Sequence, residues 1–270
     1  MEENLKYKSA KIVCFSPTGT VRRVTKSIVK GIDFSDTEFV DITLPDGRKH
    51  FLKMRENELL IVGVPVYVGR IPSIAAEWLN SISADKTPVV CVVVYGNRDY
   101  DDALIELKKI TVERGCIPVA CGAFIGEHSF SSGETPASVG RPDHSDIRFA
   151  ESFGVEIAEK LKKFVSIDTI DEIKVPGLYP YRNDNKTWVI DFIEVSDECN
   201  QCGLCAELCP VAAIDSANSS AININKCILC CACIKSCTEK ARRMKPGLVK
   251  DAAVRVSEKF CERKEPEIYI

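Results

Sequence analysis

Eight of the chain's 14 cysteines fall in two copies of one spacing. The first copy is Cys199-x2-Cys202-x2-Cys205-x3-Cys209-Pro210, and the second is Cys227-x2-Cys230-x2-Cys233-x3-Cys237. The copies lie 28 residues apart and form the clear internal repeat of the sequence. Disulfides are rare in a reducing compartment, so this many cysteines point to ligation. A cubane [4Fe–4S] cluster offers four irons, each taking one thiolate. Three closely spaced cysteines on a tight loop can wrap three corners, and the fourth ligand comes from elsewhere. Structural zinc sites instead pair two separate Cys-x-x-Cys knuckles, with no need for a third cysteine at the same interval. Iron–sulfur ligation is the better reading.

Over about residues 188–245 this module resembles bacterial 2[4Fe–4S] ferredoxins. In that family the fourth cysteine of each run ligates the other cluster. The resemblance therefore implies Cys199, Cys202, Cys205 and Cys237 for cluster one, and Cys227, Cys230, Cys233 and Cys209 for cluster two. Two departures stand out. The second run continues with Thr238 where the first has Pro210, which alters the expected turn, and Cys231 sits out of frame, as a bystander thiol or else a spare ligand. Trp188–Val195 and Ala221–Ile224 read as the short strands of a small α+β domain.

The elements upstream alternate between strand and helix. Lys11–Phe15, Glu38–Thr43, Leu59–Val64, Val89–Tyr95 and Ile117–Phe124 read as five strands. VVCVVVY is the continuous apolar run of a strand buried on both faces. Val21, Val24, Ile28 and Val29 keep helical spacing, and Pro72 opens a helix carrying Ile74, Trp78, Leu79 and Ile82. Ala103, Leu104, Leu107 and Ile110 mark a third helix. Ile147, Ala150, Gly154, Ile157, Leu161 and Phe164 mark a long fourth one. Such a chain forms an open, doubly wound parallel sheet that binds ligands beyond the carboxyl ends of its strands.

The loop Ser16-Pro17-Thr18-Gly19-Thr20 lies at such an end, just before a helix N-terminus, where free N–H groups suit a phosphate. It lacks a P-loop lysine, so a flavin monophosphate fits better than a nucleoside triphosphate. With the loops VPVYVGRIP and YGNRDYDDAL, this loop makes residues 9–165 resemble a flavodoxin. The resemblance implies FMN, with Ser16, Thr18, Gly19 and Thr20 on its phosphate. Val66, Tyr67, Gly69, Tyr95, Gly96, Asn97 and Tyr100 would flank the ring, Tyr67 and Tyr100 as stacking partners. Val21 stands where the family's loop carries a further threonine.

The expected organisation is a flavodoxin-like five-stranded FMN domain (1–165), a linker (166–187), a 2[4Fe–4S] ferredoxin domain (188–245) and a C-terminal helix and tail (246–270). The whole chain resembles flavodoxin–ferredoxin fusion proteins of anaerobes. That resemblance implies electron transfer between FMN, two clusters and redox partner proteins. The alternative is a flavin-dependent reductase of a small substrate, fed by its own clusters; structural or oxygen-sensing clusters are a third reading. A net charge of −3 argues neither for nucleic acid nor for a basic membrane-binding surface, and no nucleic-acid partner is expected. No run of about 18 apolar residues suggests a membrane span, and the charged start MEENLKYKSA lacks a signal-peptide core, so the expected location is cytoplasmic. No G-x-G-x-x-G segment suggests direct reduction by a nicotinamide dinucleotide.

Other residues carry weaker claims. His128 and His144 are surface or packing histidines, or proton donors to a flavin. Arg70 and Arg98 are solvated, or touch the flavin or a partner. Cys14, Cys91, Cys116 and Cys121 are small core hydrophobes, and Cys261 is a helix bystander. Lys240–Lys264 holds nine Lys or Arg residues and reads as a solvated helix or a dock for an acidic partner.

Overall fold

The computed structural model describes residues 7–163, 170–184 and 188–270. Phe164 and part of the 166–187 linker lie outside these. The N-terminal half alternates β1 (Ser9–Cys14), α1 (Thr20–Ile32), β2 (Asp36–Asp41), β3 (Glu58–Pro65) and α2 (Ser73–Leu79), then β4 (Thr87–Tyr95), α3 (Ala103–Glu113), β5 (Cys116–Ile125) and α4 (His144–Lys163). The parallel strands run in the order β2-β1-β3-β4-β5, the doubly wound order of the flavodoxin-like fold. Every residue of β3 and β4 is buried, as their unbroken apolar runs require. One core lies on each face of the sheet. Leu79, Leu104 and Leu107 cover one side, and Val24, Ile28, Phe153 and Ile157 cover the other.

Helices α1 and α4 cross on bare backbone. A Cβ on Gly31 would stand 1.9 Å from the Glu151 carbonyl oxygen, and one on Gly154 would stand 2.1 Å from that of Ile28. This close crossing sets the position of α1, and with it the loop at its N-terminus.

The C-terminal third follows with β6 (Ile193–Val195), α5 (Leu204–Glu207), α6 (Ala232–Lys235), β7 (Arg242–Met244), α7 (Leu248–Lys259) and β8 (Glu267–Tyr269). The five expected parallel strands are present, and β8 adds a sixth, antiparallel to β5, at the open edge. Two expectations are corrected here. The small sheet pairs β6 with β7; Ala221–Ile224 makes only an isolated bridge between Ile222 and Ile214, and the strand that starts near Trp188 begins at Ile193. The Lys240–Lys264 run is more than one solvated helix, since it supplies β7, α7 and a strap across the first domain. In that strap Arg263 pairs with Asp143, and Lys264 Nζ donates to the Arg98 carbonyl. Cys261 is exposed beyond the end of α7. Among the described residues, no helix is long and apolar enough to cross a membrane.

Candidate functional site

The two cysteine runs repeat at the level of backbone conformation. Gln201 and Leu229 share a φ of 57°, Gly203 and Cys231 have φ of 79° and 56°, and Ala212 and Lys240 have 46° and 53°. Alternating left- and right-handed residues turn successive N–H groups toward one concavity, the kind of nest that binds anionic groups. The turn after the fourth cysteine is the same in both copies. Ala212 N–H donates to the Cys209 carbonyl at 3.2 Å and Lys240 N–H to that of Cys237 at 3.2 Å, so Thr238 does not disturb it. Cys231 occupies the position held by Gly203 in the first copy. It is buried, and its thiol faces the Leu229 carbonyl at 3.7 Å.

These loops bring the eight cysteines together in two sets. Cys209, Cys227, Cys230 and Cys233 line one small cavity, with Cys231 also in its wall. Cys199, Cys202, Cys205 and Cys237 line the other. Each set takes three sulfurs from one run and one from the other. The donors fit a four-iron cluster: four thiols face each cavity, and N–H groups point at sulfur. Ala213 N–H donates to Cys209 Sγ at 3.2 Å, and Gln201 Nε2–H lies 3.6 Å from Cys199 Sγ. Burial pushes the Cys230 and Cys233 thiols up.

A third cavity, of about 240 Å³, opens at the carboxyl ends of the parallel strands. Val66, Tyr67 and Val68 wall it after β3, Arg98 after β4, and His128 and Phe130 after β5. From the C-terminal third come Trp188, Ile228, Leu229 and the α7 residues Ala252 and Val256. Tyr67–Arg70 closes a tight turn through two mutual backbone hydrogen bonds of 2.8 and 3.0 Å. Within it Val68 has φ 54°, a strained value for a β-branched residue. Burial, and then the neighbouring Cys230, Cys231 and Cys227, push the Tyr67 phenol up, which places this ring beside the cysteines of the second set.

At the same end of the sheet, Ser16–Gly19 leads into α1. Gly19 adopts φ 84° at the cap. Ser16 Oγ accepts the Arg22 N–H at 3.1 Å, so its own proton is left to donate. The first-turn N–H groups of a helix have no partner within it. Of the residues expected to hold FMN, Val66 and Tyr67 line this cavity, whereas Ser16, Thr18, Gly19 and Thr20 stand at the same end of the sheet outside its lining; an apolar cleft with aromatic walls could hold a flavin ring.

Several residues expected around the ring are committed elsewhere. The Tyr100 hydroxyl is 2.8 Å from both Glu267 and Tyr269, and its ring lies 5.4 Å from that of Tyr95. Asn97 Nδ2 donates to the Phe260 and Glu262 carbonyls. The C-terminal strap thus covers the side of the β4 loop on which Tyr95, Asn97 and Tyr100 were expected to serve. Gly69 and Gly96 are packing positions: a Cβ on Gly69 would stand 2.3 Å from Asp101 Oδ2, and one on Gly96 would stand 2.3 Å from His128 Cδ2. Arg70 is neither solvated nor at the cavity, because it is buried in a bidentate pair with Glu106 and stacks 3.9 Å from the Tyr181 ring centroid. Trp188, Phe130, Leu229 and Val256 carried no local signal for this site, since the fold brings them in from four separate segments.

His144 is exposed at the start of α4. His128 lines the cavity, and its Nδ1 accepts the Phe130 N–H at 3.0 Å, which leaves the neutral ring's proton on Nε2. Burial, then Lys235 and Arg98, depress its pKa to about 4. The unfolded chain binds that proton below about pH 6.5 and the folded one does not, so stability falls as the pH drops from about 6.5 to about 4. The loss attributable to this ring is at most about 3 kcal/mol. Thermal melts across that window should show a shallower slope for His128→Gln; an unchanged slope would assign the acid sensitivity elsewhere.

Residues 193–215 match the 4Fe-4S binding domain family. No curated protein sequence matches the chain. Among solved structures, the chain is similar to a flavodoxin from the domain Archaea (18% identity over 57% of this chain and 99% of that one, TM-score 0.41). It is also similar to the flavodoxin of Streptococcus pneumonia TIGR4 (18% identity, 56% and 99%, TM-score 0.39). A third is a Fusobacterium nucleatum flavodoxin bound to flavin mononucleotide (15% identity, 58% and 98%, TM-score 0.38). The fold assignment itself rests on the strand order.

Proposed function

We propose that this chain, a flavodoxin-like α/β domain joined to a 4Fe–4S binding domain, is an electron carrier holding FMN and two [4Fe–4S] clusters. One observation supports this reading above the others. Ile228, between the ligand candidates Cys227 and Cys230, lines both the second-set cavity and the large cavity at the sheet's edge. The two sites therefore share a wall.

FMN exchanges electrons singly or in pairs, and each cluster exchanges one. The protein's part is placement. Ser16, Thr18, Gly19 and Thr20 would hold the phosphate at the α1 N-terminus. Val66, Tyr67, Phe130 and Trp188 would enclose the ring and exclude water from it. Ligand sets that cross between the runs tie the two halves of the small module together. Cross-domain bonds hold the modules in register: Arg48 Nη2 donates to the Pro210 carbonyl at 2.5 Å, and Lys235 pairs with Glu127 at 2.5 Å. Linked in this way, the sites exchange electrons at high effective concentration, and partner proteins supply and remove them.

The test is an anaerobic visible spectrum of the reconstituted chain. Flavin and cluster bands should bleach with dithionite and stay unchanged with NADH or NADPH. Prompt bleaching by either nucleotide would instead favour a reductase that accepts hydride itself. Tyr67→Ala should weaken FMN binding about tenfold, the scale of one lost aromatic contact. Unchanged affinity would place the flavin elsewhere.

A further inference from the structure

The two cysteine cavities share a frame but not a lining. The residue 28 positions after Ile214 is Arg242. Ile214 lines the second-set cavity, together with Phe192, Ile193 and Ile222. Arg242 lines the first-set cavity, together with Ser219 and Asn200. Arg242 is 3% exposed. Its Nη2 donates to the Ser219 carbonyl, while its Nη1 is buried with no hydrogen-bond partner among the described residues. Ser219 Oγ is buried and unpartnered too. Glu239 also lines this cavity but is exposed, and no ion pair joins it to Arg242 among the described residues. A guanidinium cannot lose its proton, so a positive charge is held here in a poorly solvated place.

We propose that Arg242 raises the reduction potential of the cluster held by Cys199, Cys202, Cys205 and Cys237 above that of its neighbour, so that an electron shared by the module resides there. The proposal rests on the two-cluster reading above. One-electron reduction adds a unit of negative charge to a cluster, and a buried cation favours that form in a low dielectric. N–H and O–H groups near sulfur act in the same direction. The lining around Ile214 holds the Ala213 N–H on Cys209 Sγ but no charged side chain. Arg242 also favours the Cys233 thiolate of the other set, so its effect on the two clusters is unequal rather than exclusive.

The step is a single electron leaving reduced cluster two for oxidised cluster one, with no proton or bond exchanged. Cluster two adjoins the flavin cavity through Ile228, and cluster one has an exposed ligand, Cys202. Arg242 thereby sets a downhill direction, from the flavin side toward the exposed end.

The experiment is an anaerobic redox titration of the full, cluster-loaded chain, followed by electron paramagnetic resonance. Iron and sulfide are counted first; enough for only one cluster would overturn the two-cluster reading itself. With two clusters, the wild type should show potentials split by at least a tenfold electron partition, about 59 mV for one electron. Arg242→Ile should lower the upper potential by a tenfold electron partition or more, about 59 mV, and the lower one by less, so that the split narrows. Arg242→Lys should keep most of the split. Arg242→Gln retains a donor for the Ser219 carbonyl and should reproduce the fall if Arg242→Ile does not assemble. Coincident wild-type potentials, an unmoved upper potential, or a fall confined to the lower one would overturn the proposal.

Discussion

Cys209→Ala should cost the protein one iron–sulfur centre while the other persists. Cys209 lies in the first run, yet it faces the cavity of the second with Cys227, Cys230 and Cys233. Its loss removes both a ligand and the strut joining the halves. Iron and sulfide should fall by about half, or a three-iron centre should form with a signal in its oxidised state. Cys231→Gly is the contrast. It restores the residue type that the first copy carries at the same left-handed position, and iron content should stay full. Unchanged iron in Cys209→Ala, or a matching loss in Cys231→Gly, would refute the crossed assignment. The effect on folding should be large, because the small core consists of Phe192, Ile193, Ile214 and Val249 with Cys205, Cys231 and Cys233. A core of that size cannot hold a module without its metal. Chelation should therefore unfold the C-terminal third while the parallel sheet, with its own two cores, persists.

What could be read in advance followed from how each feature is encoded. Cysteine spacing marked the eight candidate thiols, and the ferredoxin resemblance, not the spacing, implied the crossed division that the two cavity linings follow. β3 and β4 were legible because strands buried on both faces must be apolar throughout. β7 was not, since Arg242-Arg243-Met244 has no apolar alternation and becomes a strand only by pairing with β6. β8 is three residues long and meets β5 only after the chain has wrapped the domain. The same wrapping explains Asn97 and Tyr100. Their loop reads as a ligand loop, but the strap of residues 260–269 claims their polar groups first. Arg242 lay within a run of basic residues that looked solvated. Its burial in the wall of the first-set cavity comes from the fold, which pairs β7 with β6.

Glu106→Ala should be the most destabilising single change in the first domain. Glu106 is 3% exposed and accepts three hydrogen bonds: Arg70 Nε at 2.7 Å, Arg70 Nη2 at 2.6 Å and the Ile71 N–H at 3.0 Å. Arg70 also reaches the Asn183 carbonyl at 2.6 Å. Removing the carboxylate leaves a guanidinium that can neither ionise away nor reach water, at a cost of about 3–5 kcal/mol. Anaerobic melts should show the transition of the first domain falling by on the order of 10 °C. Lys30–Glu151 is an exposed pair on the same domain, with Lys30 72% exposed, and Lys30→Ala should cost no more than about 1 kcal/mol. The double variant Arg70→Met with Glu106→Leu should recover most of the loss, since it strands no charge. Recovery would show that the damage came from the orphaned guanidinium rather than from lost packing. The consequence also reaches the site: Arg70 and Ile71 anchor the turn that presents Tyr67 and Val68 to the cavity. Glu106→Ala should therefore weaken FMN binding even where the domain remains folded, whereas Lys30→Ala should not. A stable Glu106→Ala variant with full flavin affinity would show that the turn holds its shape without this buried pair.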